Sequence, residues 1–344
     1  MSQNLENTIL DSLSPNTQTR KKAEETITNY FNSMQINDLS IFYSILKTST
    51  DNNVKIFVSI FIKNFIEQKI NAENREKFIE YLNKYKYDIL NIILNSNLEN
   101  KTNNLLILSF CKGFSFFQID MNNYFKIIYE LSSYILKFYI NQRNTEPKDV
   151  NIITKTLFIC SKFIKYIDKD INNIKYENIY KIDKLENNED IENSINNGIK
   201  NFELLNANFY NILVDDYNKL YLSIYNSNNS INEEMINNNK YILEYLILYL
   251  KIFKYSLNYV EMINREKILD ITYNLNVWLI NGIMYNNNLS SHSFLIKIYT
   301  EILSLSNKII IRYLSTYIYQ ITLNTIKNYT DFFYSFISNE NLFI

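Results

Sequence analysis

The chain has 344 residues and a formal net charge of −1, with 35 Lys and Arg against 36 Asp and Glu. Nothing in that balance suggests a protein that binds nucleic acid by neutralising phosphates, which would show a basic stripe. Only 3 Gly and 2 Pro are present, and sheet-rich folds need such residues at nearly every reversal, so the composition predicts long helices and few tight turns.

Residues 3–12 read as a short first helix. Ser14-Pro15 reads as the start of a longer partner over 15–34. A hydroxyl there would cap an orphan N–H, and proline would sit where no N–H is needed. Ala23, Ile27, Tyr30, Phe31 and Met34 keep the helical period. A second short helix spans 38–48, with Leu39, Phe42, Ile45 and Leu46 on one face. Its partner over 52–70 is the most informative stretch. Val54, Phe57, Val58, Phe61, Ile62 and Phe65 form one apolar stripe, and Ile56 and Ile60 flank it. Lys55, Ser59, Lys63 and Glu67, four apart, predict a single wet ridge opposite the core. Such a helix is sandwiched between neighbours.

Helices follow over 73–95 and 102–118, joined by the polar turn Asn95–Asn100, then over 121–142 and 149–167. Glu146-Pro147 marks the break before the last of these. There Val150, Ile153, Leu157, Cys160, Ile164 and Ile167 form a steady stripe. Residues 168–196 are rich in Asn and charge and read as a disordered insertion. Helices resume at 200–225, where Leu213, Tyr217, Leu220 and Ile224 recur, and at 240–259, 265–285, 291–306 and 308–337. A smaller insertion lies at Asn226–Asn239. The most apolar window, Tyr241–Val260, is interrupted by Glu244, Lys251 and Lys254. A bilayer span needs roughly 20 uninterrupted apolar residues, so the window predicts a buried helix, and no contact with a membrane is expected. Residues 1–15 carry no apolar signal segment.

The helices fall into antiparallel pairs starting near residues 3, 38, 73 and 121. Those gaps lie near the roughly 40–47-residue period of HEAT-type repeats. A single pair cannot bury both apolar faces, and stacking supplies the missing partners. The expected fold is all-α, an α-α solenoid of about seven HEAT-type repeats. Such arrays finish with a polar cap, whereas this chain stops at the apolar Asn341-Leu342-Phe343-Ile344, which predicts a truncated array.

No reaction centre is predicted. His292 is the single histidine and lies between Ser291 and Ser293, but a triad needs partners that converge in space. Gly113, Gly198 and Gly282 are isolated, so no Gly-rich phosphate loop can form. Cys111 and Cys160 sit inside apolar patterns as small buried hydrophobes, without metal-ligand spacing. Asp215-Asp216 and Glu233-Glu234 are adjacent pairs, and neighbours on a helix do not face one another. The expectation is a binding protein rather than an enzyme, without cofactor or metal. Its candidate wall is made of polar ridges: Gln18, Lys21, Lys22, Glu25 and Asn29 on the second helix, the 55–67 ridge on the fourth, and Asn104, Lys112 and Ser115 on 102–118.

The run Ser14-Pro15…Arg20-Lys21-Lys22-Ala23-Glu24, followed by Val54-Lys55 and Ile60-Phe61-Ile62-Lys63-Asn64-Phe65-Ile66, resembles the N-terminal repeats of the importin-β (karyopherin-β) superfamily. In that family a basic residue and Ala-Glu mark the first long helix. Val-Arg and an apolar run into Leu-Lys-Asn mark the second. Here Lys55 stands where Arg is usual and Ser59 where a small Ala is usual. The resemblance covers residues 5–70, and the helical rhythm extends it to about 140. It implies a right-handed superhelix whose N-terminal repeats hold the GTPase Ran in its GTP form. It also implies protein cargo on the solenoid, and Phe-Gly repeats of nucleoporins in outer grooves between repeats. The implied Ran-binding candidates are Lys21, Lys22, Glu25, Lys55, Ser59, Lys63, Asn64 and Glu67. The implied role is a transport receptor shuttling between cytoplasm and nucleus, with import the first reading. An exportin of the same superfamily and a cytosolic α-solenoid scaffold outside nuclear transport are the alternatives. On this reading residues 1–70 are the importin-β-like repeats, 71–167 and 197–344 are further repeats, and 168–196 is the insertion.

Overall fold

A computed structural model describes residues 2–95, 98–116, 121–145, 149–182, 211–223, 233–256, 262–285 and 293–313. The regular structure of the described residues is helical, with no strand among them. The helices are α1 (Ser2–Ser12), α2 (Thr17–Ser33), α3 (Leu39–Thr48), α4 (Asn52–Lys69), α5 (Arg75–Asn95), α6 (Asn100–Ser115), α7 (Met121–Asn144) and α8 (Val150–Ile182). After them come α9, described over 211–223, then α10 (Glu233–Asn238), α11 (Lys240–Ser256), α12 (Met262–Tyr285) and α13 (Ser293–Tyr313). The all-α expectation is met. No described helix is long and apolar enough to cross a membrane.

The chain divides into two compact units, residues 1–142 with 166–199, and residues 143–165 with 200–344. In the first, α1 packs on α2, α3 on α4 and α5 on α6. The first helix of each pair also meets its counterpart: α3 touches both α1 and α5. The second helices do the same, with α4 lying against α6. The Asn52 Nδ2 donates to Glu99 Oε1 at 2.7 Å. Asn52 opens α4 and Glu99 is the N-cap of α6, so these two helices start side by side and run the same way.

Aromatic rings fill the joint of α2, α3 and α4. Phe42 stacks on Phe61 with centroids 4.5 Å apart, and Phe31 meets Phe61 edge-on at 4.9 Å. Such pairs add about 0.5–1.5 kcal/mol beyond the area they bury. At Gly113 the helix α6 lies close against α5. A Cβ there would lie 2.9 Å from Leu82 Cδ1 and 3.4 Å from the Phe78 ring.

In the second unit α11 is buried through Leu243, Leu246, Leu250, Ile252 and Phe253, and packs against α13. This is the fate of the predicted apolar window. Arg143 Nη1 binds Asp216 Oδ2 at 2.7 Å and ties the end of α7 to α9. Tyr217, fully buried, has its ring 5.3 Å from Phe253. Cys111 and Cys160 are both buried and unbridged, and burial pushes the Cys160 thiol up to about 12. A thiol held neutral in this way packs as a hydrophobe.

Three local expectations are corrected. The cap of α2 is Asn16, not Ser14. The Asn16 Oδ1 accepts from Gln18 N at 2.9 Å and Thr19 N at 3.2 Å, and the helix begins at Thr17. Ser14 Oγ instead accepts from Asn16 N at 3.2 Å, one step earlier in the turn. A carboxamide two residues further on satisfies two orphan donors at once, so the Pro15 position falls outside the helix.

The second correction concerns 168–196. The helix α8 runs on through 168–182, because Ile167, Ile171 and Ile174 continue the spacing set by Cys160 and Ile164. The charged residues of this segment do not end the helix. The rest of the expected insertion lies outside the described residues.

The third concerns 291–306 and 308–337. The helix α13 passes through the expected break without interruption, since Ile302, Leu305, Ile309 and Tyr313 keep the period. Residues beyond 313 lie outside the described residues, as do His292 and the apolar end at 341–344.

Candidate partner-binding surface

Two helices carry the eight candidate residues. The helix α2 buries only Ala23 and Ile27, a stripe too narrow to hide much else. Lys21, Lys22 and Glu25 are exposed, as are Gln18 and Asn29. Arg20 Nε lies 3.8 Å from Glu24 Oε1 across one helical turn. Glu24 therefore supports its own helix through Arg20. Both side chains are largely in water, and such pairs contribute about 0.3–0.5 kcal/mol.

The helix α4 departs from expectation. Its ridge Lys55, Ser59, Lys63 and Glu67 is not wet along its length. Lys55 is 8% exposed and Ser59 0%. Lys63 and Asn64 are half-buried and Glu67 is exposed. On the other flank Ile60 is 40% exposed, and Phe57 is only half-buried. The buried face is thus turned toward Lys55 and Ser59 and away from Phe57 and Ile60. The physical reason is a second neighbour. The helix α4 packs along α6 as well as on α3, and this covers a flank that polarity alone assigns to water.

The Ser59 hydroxyl costs little to bury. The Ser59 hydroxyl donates to the Lys55 carbonyl within the helix at 2.8 Å. A serine satisfied this way carries no orphan donor into the core. Lys55 lies near the N-terminal end of α4, where Asp51 Oδ1 caps Asn53 N at 2.7 Å and Val54 N at 3.1 Å. A long stem lets a lysine cover apolar surface with most of its length. Lys55 and Ser59 are therefore removed from the candidate surface.

Lys63 and Glu67 remain at the surface and pair with each other, Nζ to Oε2 3.3 Å. At the C-terminal ends, α2 and α4 lie together. Lys69 Nζ donates to the Asn32 carbonyl at 3.4 Å and sits 5.3 Å from the Phe31 ring centroid, while Phe31 packs on Phe61 and Phe65. The surviving candidates, Lys21, Lys22, Glu25, Lys63, Asn64 and Glu67, thus lie on two adjoining helices. On α6, Lys112 is exposed, while Asn104 and Ser115 are half-buried. The Ser115 hydroxyl is turned back onto the Lys112 carbonyl at 2.7 Å.

A polar contact that periodicity did not reveal links α5 to α7. Lys86 and Tyr87 both reach Glu130, and the charge pattern of either helix alone carries no signal for it. No protein-family model matches the chain, and no curated protein matches it. The importin-β likeness therefore rests on the residues of 5–70.

Proposed function

We propose that this chain works as a nuclear transport receptor of importin-β kind. On this reading its helix pairs stack as a right-handed α-α solenoid of HEAT-type repeats. The surface of α2 and α4 takes Ran in its GTP form, and the solenoid takes protein cargo through the nuclear pore by way of Phe-Gly nucleoporins. Import is the favoured direction, and the protein shuttles between cytoplasm and nucleus.

The observation that carries the reading is the order of packing in the first unit. The helices of the first three pairs meet their partners, and neighbouring pairs meet as well: α3 lies between α1 and α5, and α4 against α6. That succession is what stacked repeats require, since each pair covers the apolar face its neighbour leaves open. The motif residues that suggested the family lie on α2 and α4, where six polar candidates still reach the surface. Cargo release would follow from linkage. If Ran and cargo favour different curvatures of one elastic array, each lowers the affinity for the other, a coupling of about 1–3 kcal/mol in typical cases.

The deciding experiment is retention of the chain on immobilised Ran loaded with a non-hydrolysable GTP analogue or with GDP. Retention by the GTP form alone is expected. Equal retention by both forms, or by neither, overturns the transport reading and leaves a helical scaffold as the better account.

A further inference from the structure

Three helices of the second unit bring lysines to one place. Lys162 and Lys165 come from α8, Lys251 and Lys254 from α11, and Lys308 from α13. Tyr255 is the hub. The Nζ atoms of Lys308, Lys254 and Lys165 lie 4.2, 5.6 and 5.9 Å from its ring centroid. Glu301 stands on the other flank and is shared by Lys251 and Lys254, each Nζ 3.8 Å from one of its oxygens. The cluster is partly sunk. The side chains of Lys254 and Glu301 are each 19% exposed, whereas Lys251 is 39% exposed and Lys165 is open to water.

Gathering these charges costs the fold. Where water is partly excluded, like charges repel more strongly than on an open surface. Lys162 registers the strain: burial first, then Lys165 and Lys251, hold its ammonium below the usual lysine range, against the opposing pull of Glu301. The Tyr255 ring face offers some relief by cation–π attraction, worth about 0.5–2 kcal/mol per contact. One shared carboxylate offers more. Among the described residues neither offsets the lysines of α8 and α11, and a positive cluster of this kind raises the local concentration of anions.

The arrangement also selects the shape of the anion. The ammoniums converge on one ring instead of following one helix, so they suit a compact, highly charged group better than an extended acidic strand. Lysines are mobile point charges, suited to phosphate oxygens without the fixed fork that arginine provides. We propose that the lysine cluster around Tyr255 is a binding site for a compact phosphorylated anion, either a free polyphosphate or the phosphate groups of a phosphorylated peptide. This site lies in the second unit and does not depend on the transport reading.

Isothermal titration of the full chain tests it in three arms: inorganic tripolyphosphate, a peptide with clustered phosphoserines, and the same peptide with glutamates in their place. Saturable binding at one site per chain is expected in at least one phosphate arm, and the tighter of the two identifies the source. The glutamate peptide should bind about tenfold more weakly than its phosphorylated counterpart. Lys165→Gln with Lys254→Gln should weaken binding about tenfold or more, and Lys165→Gln alone, at an exposed position, should weaken it in the same direction. Glu301→Gln should tighten binding, a change that damage to the fold does not produce. Absence of saturable binding in both phosphate arms, equal affinity for the glutamate peptide, or affinity unmoved by the lysine changes overturns the proposal.

Discussion

Lys86 of α5 donates to Glu130 of α7, Nζ to Oε2 2.8 Å, with the Lys86 side chain 12% and that of Glu130 30% exposed. Tyr87 Oη lies 3.4 Å from the same oxygen, and its ring sits 5.3 Å from Tyr134. This clasp joins two helices separated in the chain by α6.

The clasp predicts a pH dependence. The hydrogen bond from Lys86, the largest influence, holds the Glu130 carboxyl below its ordinary range, with partial burial opposing it. A depressed carboxyl stabilises the fold above its unfolded value, about 4.3, and loses that contribution as pH falls through the folded value. Glu130→Gln should therefore cost about 1 kcal/mol at neutral pH. The gap between variant and parent in thermal unfolding should close as the pH is lowered below about 4. A gap that persists in acid would assign the loss to packing rather than to charge.

Ser59 distinguishes a covered flank from a wet ridge. Its hydroxyl bonds only within its own helix, to the Lys55 carbonyl. Ser59→Ala should move stability by no more than about 0.5 kcal/mol, while Ser59→Glu should cost about 3 kcal/mol or more in urea unfolding, because it forces a charge into the core. Were Ser59 on the surface, both changes would be nearly silent.

The start of α2 can be tested by alanine. Asn16→Ala removes the acceptor for two backbone donors and should cost about 1 kcal/mol. Ser14→Ala should cost under about 0.5 kcal/mol, since its hydroxyl serves one turn contact ahead of the helix. The reverse order of costs in denaturant melts would restore Ser14 as the cap.

The continuation of α8 predicts that Asn173→Pro lowers the helical signal in far-UV circular dichroism. It should lower stability by as much as about 3 kcal/mol, because proline inside a helix removes one bond and clashes with the preceding turn. A silent substitution would mean that the helix ends near Asp168.

For the partner surface, Lys21→Glu combined with Lys63→Glu should weaken binding of GTP-loaded Ran about tenfold, the scale of one or two lost charge-assisted contacts. Lys55→Glu should instead fail in stability, since Lys55 is buried. Unchanged affinity in the double variant would reject this surface.

These cases show which physics a linear sequence carries. Period alone placed α3 and α4 to within a residue or two, because an apolar face must recur every turn to meet any core. It shows that the fourth helix lies between neighbours, but not which flank each neighbour covers. Lys55 and Ser59 look wet because they are polar, and only the presence of α6 covers them. Polarity predicts an end at the charged Asp168–Asp170, and a second break is expected between residues 306 and 308. In both places the apolar spacing continued underneath, and the helix followed it. The Lys86–Glu130 clasp was hidden for a related reason, since its partners lie 44 positions apart.

The pairings α1 with α2, α3 with α4 and α5 with α6 have a kinetic consequence. Each closes a short loop between chain neighbours, and low contact order of this kind favours rapid folding. As the polypeptide leaves the ribosome, each hairpin can dock on the one before it, so this stretch can condense in order of synthesis without waiting for distant segments.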